Sequence, residues 1–280
     1  MSDRVHTVHA KGSIWRLSTG RFGEARRVAM AFARRDVNLR YVQTRLGWFW
    51  AVGQPVLAAL LILLVFSYIV GVKAPNDLPY ALYAFAALPG WLMAQGIIVQ
   101  GGPSLIHNQH ILRKIAFPRE ALIQSKALVS LMDFGVATVL FAILSLGIHG
   151  QSASHLWAWP LVLVYTVLST LGIAYWIAAL STKFRDLIAI LPVLVQGLFL
   201  LSPIAYPSDR FAAALGDSAW FLYLNPMVAM AEGFRFAWLG PEFVLAGPDD
   251  LLLSVGMGML LFITGHIALR IVNRNLVDTI

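Results

Sequence analysis

The chain contains no cysteine, which excludes disulfide staples and thiolate metal sites. Charge is scarce as well: Asp, Glu, Lys and Arg together make up 12%, about half the share of an ordinary soluble domain. With 59% hydrophobic residues and a mean hydropathy of +0.72, the 280 residues describe an integral membrane protein. No Gly-Lys dipeptide occurs, so the chain carries no Walker A phosphate loop. His-x-x-x-His, His-Glu-x-x-His and Gly-x-Ser-x-Gly are missing too, which removes the familiar zinc-helix and nucleophile-elbow chemistries. His107 and His110 are three apart, with no carboxylate nearby until Glu120, so no metal site is expected. Asp133 is the one acid expected deep inside a span, too few for a proton relay. No catalytic residue is assigned. The polar stretch before Gly47 shows no cleavable signal pattern.

What charge there is has a direction. The net charge is +7, and ten of the 21 Lys and Arg precede Trp48. Most of the others flank apolar runs, so positive-inside topology and anionic lipid explain them, and nucleic acid is not expected as a partner. Residues 1–28 read as a cytoplasmic basic arm with a helical portion. Residues 30–46 read as an amphipathic helix. Met30, Ala33, Val37, Tyr41 and Trp48 share one face, and Phe32, Leu39 and Leu46 the opposite one. Two apolar stripes suit a helix lying in the membrane interface. Asp36 and Arg40 stand at i,i+4, a pairing worth about 0.3–0.5 kcal/mol. Trp48 and Trp50 fit the interfacial aromatic belt, and Gln54-Pro55 turns the chain into the bilayer.

Six spans follow, at about 52–71, 80–100, 118–147, 157–180, 187–205 and 251–269. Each is long enough, or nearly so, to cross ~30 Å of hydrocarbon as a helix. Pro89-Gly90 marks a kink or break in the second. Lys126 and Asp133, seven apart in the third, lie nearly on one face. They read as a polar contact between helices, with an intramembrane functional role as the alternative. Gly101-Gly102 ends the second span, and Pro103 opens a short basic and apolar helix over 104–114. That helix looks built to dock on a partner. Residues 206–250 are too apolar for a loop and too interrupted for a span. Two pieces, 211–224 and 227–238, are separated by Asn225-Pro226 as N-cap and first helical residue, and Gly240-Pro241 stops the second. A re-entrant hairpin on the outer side fits them, with Glu232 and Arg235 paired at i,i+3 or meeting a polar ligand. The fold class expected is therefore an all-α integral membrane protein: six transmembrane helices, an N-terminal amphipathic interfacial helix and a re-entrant helical hairpin before the last span. Both termini would be cytoplasmic, leaving only Lys73, Arg210 and Arg235 of the basic residues outside.

Four segments in order resemble one family. RRDVNLRYVQTRLGWFWAVGQP before the first span, ILRKIAFPRE before the third, KFRD with LIAILPVLVQGLFLLSPIAYP, and YLNPMVAMAEGFRFAWLG are similar to signatures of the polysaccharide-export permeases among type-two ABC transporters. The resemblance covers nearly the whole chain after residue 30. It implies one transmembrane domain over 29–280 that pairs with itself and with two separate ATPase subunits. It also implies a lipid-linked glycan as cargo, such as O-antigen, with capsular polysaccharide and teichoic acid as alternatives, in a bacterial cytoplasmic membrane. No cofactor is expected in this chain, with ATP and Mg held by the partner. The helix over 30–46 would be a gate helix, with Arg35, Arg40 and Tyr41 on it and Gly47, Trp48 and Trp50 at its hinge. Residues 104–114 would be the coupling helix, through Ser104, His107, His110, Arg113 and Lys114. The hairpin over 211–238 would form the exit, with Asn225, Glu232 and Arg235. Sugars have apolar C–H faces that slide over aromatic rings, so Phe66, Tyr68, Phe199 and Tyr206 are candidate channel residues, with lipid contact or core packing as the alternative for each. A self-contained channel or secondary transporter lacks the ion-coupling groups it needs. A membrane-embedded transferase lacks a visible acid/base or metal cluster.

Overall fold

Hydrocarbon offers a backbone N–H or C=O no water, so an apolar run must satisfy these groups internally, and a helix does so. A computed structural model describes residues 19–42, 47, 49–112, 114, 117–149 and 153–275, and every regular element among them is helical. In chain order these are α1 (Thr19–Val37), α2 (Phe49–Ile62), α3 (Tyr80–Gly96), α4 (Ser104–His107), α5 (Gln109–Leu112), α6 (Glu120–His149), α7 (Trp159–Ser181), α8 (Leu187–Leu200), α9 (Ser208–Leu215), α10 (Trp220–Tyr223), α11 (Pro226–Leu239) and α12 (Pro248–Asn275). Wider π-helical turns extend α1 over Asn38–Val42, α2 over Leu63–Ile69 and α3 over Ile97–Gly101.

Five stretches are long and apolar enough to cross a membrane: Phe49–Ile69, Tyr80–Gly101, Glu120–Leu146, His155–Ser181 and Pro248–Asn273. They coincide, within a few residues, with five of the six expected spans. The remaining one, expected over 187–205, is the 14-residue α8. At 1.5 Å per residue it is about 21 Å long, shorter than a ~30 Å core, and the chain turns repeatedly from 201 to 206.

α3 is the centre of the bundle. Within its most apolar window 72% of residues are buried inside the fold, against 11% for Phe49–Ile69. The outward side chains of α2 and its extension, among them Leu57, Leu61, Leu64 and Ile69, are exposed on the outside of the chain. Of the kink or break expected at Pro89-Gly90, there is no break, since α3 runs through both residues. Gly90 is needed for contact: a Cβ there would lie 2.5 Å from the Phe234 ring and 2.8 Å from Met230 Sδ of α11. α7 and α12 form the longest pairing, bridged by Trp176 Nε1 donating to Thr264 Oγ1 at 3.0 Å.

α11 is buried between α3, α7 and α12. Asn225 caps it as expected, accepting from Met227 N at 2.9 Å, and Gly240 ends it at φ 110. Its first turn is held by α12, where Ser254 Oγ donates to Asn225 O at 2.7 Å and accepts from Ala229 N at 3.1 Å. The piece before it differs from expectation. The single helix expected over 211–224 is three short ones, because Gly216 at φ 55 turns the chain after α9.

α1 begins at Thr19, eleven positions before the helix start expected at Met30. Its buried row is Ala25, Ala29 and Ala33 in i,i+4 steps, with Tyr41 eight residues further on, and the small residues let α1 lie close along α6. Ala33 and Tyr41 thus sit on the expected face. Met30 does not: one residue on from Ala29, it is rotated about 100° away and is 37% exposed.

Candidate functional site

One pole of the molecule is organised by two ion pairs that cross from α1 to α6. Lys126 Nζ donates to Asp36 Oδ2 at 2.6 Å, and Arg40 Nη1 donates to Asp133 Oδ2 at 2.7 Å. The expected Asp36–Arg40 pair along one helix is replaced by these partners. The π-helical turn over Asn38–Val42 widens the spacing after Asp36 and swings Arg40 and Tyr41 toward α6. Signs alternate on both helices, minus then plus on α1 and plus then minus on α6, so one register satisfies both pairs. Lys126 and Asp133 are accordingly the helix-to-helix contact expected of them.

Asp133 is the hub. Its Oδ1 accepts from the Tyr41 hydroxyl at 2.5 Å, while Arg40 Nη2 donates onward to Gln54 Oε1 at 2.8 Å. Burial, and then the hydrogen bond to Asp133, push the Tyr41 phenol well above its ordinary value, so it stays protonated and remains a donor. Arg35 is exposed; it bonds its neighbour Asp36 at 3.0 Å and lies 4.8 Å over the Phe32 ring. Gly47 takes φ 44, the left-handed region where a side chain is costly. Trp50 is 38% exposed and meets Phe49 edge-on. Trp48 and residues 43–46 lie outside the described residues.

Replacing Lys126 with Asp should set two carboxylates against each other and loosen α1 by about 1–3 kcal/mol, given partial burial of both partners. Adding Asp36→Lys should recover most of that loss. The measurement is protease protection of α1 in the purified protein.

The single coupling helix expected over 104–114 is two separate turns, α4 and α5, interrupted at Asn108, whose φ is −110. Ser104 O accepts twice from Asn108, from its backbone N at 3.2 Å and from Nδ2 at 2.8 Å, which closes the first turn on that residue. Ser104 is buried, and its hydroxyl donates to Gly101 O at 2.6 Å. His107, His110 and Lys114 are exposed. Arg113 lies outside the described residues. Gly102 packs on α7, where a Cβ would stand 2.5 Å from Ile177. Arg119, within the ILRKIAFPRE segment but assigned no role there, has its Nη1 buried without an acceptor among the described residues.

At the other end, Glu232 and Arg235 are fully buried and paired at 3.2 Å, the i,i+3 self-pairing expected as one of two readings. Arg235 Nη2 also donates to Pro203 O at 2.5 Å and Ile204 O at 3.0 Å, and its guanidinium lies 3.9 Å over the Tyr83 ring. Glu232 Oε2 accepts from Leu245 N at 3.2 Å. One buried knot thus ties together α11, the turn after α8, α3 and the loop before α12.

The four aromatic candidates do not share one wall. Phe66 and Tyr206 pack on the cluster around Tyr80. Phe199 sits in the main core, 5.4 Å from the Trp91 ring, so core packing explains it. Tyr68 is 78% exposed on α2's extension.

The chain matches the family described as ABC-2 type transporter over residues 28–239. It is 26% identical over 208 residues to the O-antigen export system permease protein RfbA of Klebsiella pneumoniae, spanning 74% of this chain and 78% of that one. A protein of the same description from Myxococcus xanthus is 26% identical over 235 residues, 84% of this chain and 89% of its own length. The polysialic acid transport protein KpsM of Escherichia coli is 24% identical over 218 residues, 76% and 81% of the two chains.

Proposed function

The chain belongs to the ABC-2 type transporter family, and from that premise we propose that it is the membrane-spanning half of an ATP-driven exporter of lipid-linked polysaccharide, with O-antigen as the leading cargo, moved from cytoplasm to periplasm. The observation that carries this reading is similarity along 74% and 84% of the chain to permeases named for O-antigen export. The relative named for polysialic acid transport favours capsular polysaccharide as the second candidate, ahead of teichoic acid. Secondary transport is disfavoured because the acids inside the bundle are committed: Asp133 to Arg40 and Tyr41, Glu232 to Arg235.

In this reading residues 29–280 form one transmembrane domain behind the arm 1–28, in the bacterial cytoplasmic membrane with both termini inside. α8 and the turns after it complete a sixth crossing, α1 is the interfacial gate helix, and α9 to α11 form the re-entrant exit hairpin. The permease pairs with a second copy and with two ATPase subunits, which bind ATP and Mg because this chain has no phosphate loop. The exposed His107, His110 and Lys114, with Arg113, face the ATPase.

Deleting the gene should abolish the surface glycan of its host; an intact surface glycan would overturn the reading. Reversing the charges of Arg113 and Lys114 to Glu should weaken ATPase docking on the order of tenfold, with slower, more salt-dependent association. Co-purification and the ATPase rate of the assembled complex check this, and unchanged values would remove the docking role.

A further inference from the structure

The structure holds a cavity of about 280 Å³ between the π turn of α1, the start of α2, α3 with its π turn, and α6. Three of its polar side chains are uncommitted. Ser130 is 2% exposed, and its Oγ is buried without a hydrogen-bond partner among the described residues. Gln95 and Gln100 line the same space, and neither side chain is bonded to any described residue. Gln95 and Gln100 are half-buried, whereas the enclosed Ser130 Oγ is costly unless something polar fills the space beside it.

The lining selects among occupants by charge. Arg40 is the one cation on the wall among the described residues, and Asp133 already neutralises it at 2.7 Å. A phosphate entering here would find the guanidinium engaged and the carboxylate in its path, so an anion is disfavoured. What the walls offer is amides and hydroxyls that both donate and accept, from Gln54, Gln95, Gln100 and Ser130, beside the apolar Leu92. That mixture matches a molecule with a rim of hydroxyls and a C–H face. The volume falls at the lower edge of small-molecule sites, ~300–1,000 Å³, enough for a single ring and too little for an oligosaccharide.

We propose that this cavity, with Ser130, Gln95 and Gln100 as its recognition groups, is a subsite for one neutral sugar ring on the cytoplasmic side of the translocation path. The inference rests on the export reading above and adds where in this chain a sugar is recognised, at a place none of the four aromatic candidates occupies. Asp133 holds the ring's surroundings in place through Arg40 and Tyr41, which links occupancy of the cavity to the position of α1.

The test uses the permease assembled with its ATPase in lipid nanodiscs, probed separately with the methyl glycosides of glucose, galactose and N-acetylglucosamine, and with inorganic pyrophosphate. The variant Gln95→Met with Gln100→Met keeps side-chain length and removes the amides, and Ser130→Ala is a smaller second variant. Saturation-transfer NMR should show at least one glycoside bound, with signal reduced fivefold or more in the methionine variant and measurably in Ser130→Ala. Pyrophosphate should neither bind in the cavity nor compete. Equal glycoside signal in parent and variants, no glycoside signal in any, or pyrophosphate binding lost in the variants would each overturn the subsite. Surface glycan in a gene-null strain separates this from the export reading. An intact glycan in the null strain removes export itself. Export lost in the null strain and fully restored by the methionine variant, with unaltered glycoside binding, removes the subsite alone.

Discussion

Replacing Arg235 with methionine is expected to cost about 3–5 kcal/mol, enough to prevent stable accumulation of the protein. The figure is that of breaking a buried ion pair by removing one partner, and each partner here has no exposed side-chain surface. The loss would exceed a single salt bridge. Pro203 O and Ile204 O would lose their donor, Tyr83 would lose the cation on its ring, and Glu232 would keep a charge with only Leu245 N to answer it. The double variant Arg235→Met with Glu232→Leu should be less damaging than Arg235→Met alone, because a well-packed apolar replacement removes the orphaned charge. Thermal unfolding in detergent and the amount retained in membranes measure both. A single variant as stable as the parent would show that the knot contributes no stability.

The second large effect is expected at Gly172, where α7 meets α12. A Cβ built there falls 2.4 Å from Phe262 N and 2.5 Å from Phe262 Cα, and one built on Gly265 falls 2.4 Å from Gly172 O. All are backbone atoms, which cannot step aside as a side-chain end can. Gly172→Ala must therefore push the two helices apart along their longest pairing, and small residues at such crossings are what permits close packing in membranes. We expect a loss of at least about 3 kcal/mol, the top of the range for overpacking. Gly256, on the same α12, has nothing within 4 Å of its built Cβ. Gly256→Ala should be neutral or gain up to about 1 kcal/mol from helix propensity. Unfolding midpoints of the two variants compared side by side check the pair, and equal effects would sink the argument.

The spans were legible because hydrocarbon imposes one rule on every residue of a run, so average composition suffices to find them. The Glu232–Arg235 pair and the Asn225 cap were legible for the opposite reason, since both are local spacings within one turn. Legibility ended where a partner comes from elsewhere in the chain. Asp36 and Arg40 have a valid local pairing, and only the π turn with α6 alongside shows why it is not used. Phe199 and Tyr68 look alike on paper, yet one is core and the other exposed, because an aromatic side chain suits either setting. Gln95, Gln100 and Ser130 drew no notice, being scattered over two helices; their shared cavity exists only once those helices are packed. A search of each apolar run for its few amides and hydroxyls would have raised them.

The two charged clusters differ in how far water reaches them. The bonds tying α1 to α6 have side chains 14% to 32% exposed, while those of the Glu232–Arg235 knot are wholly enclosed. Partly buried ion pairs part at a cost of about 1–3 kcal/mol each, whereas breaking an enclosed one costs about 3–5 kcal/mol. The molecule is thus compliant at one pole and stiff at the other. A push delivered near α4 and α5 would be taken up by α1 swinging from its seat, about a pivot that the Glu232–Arg235 end holds still.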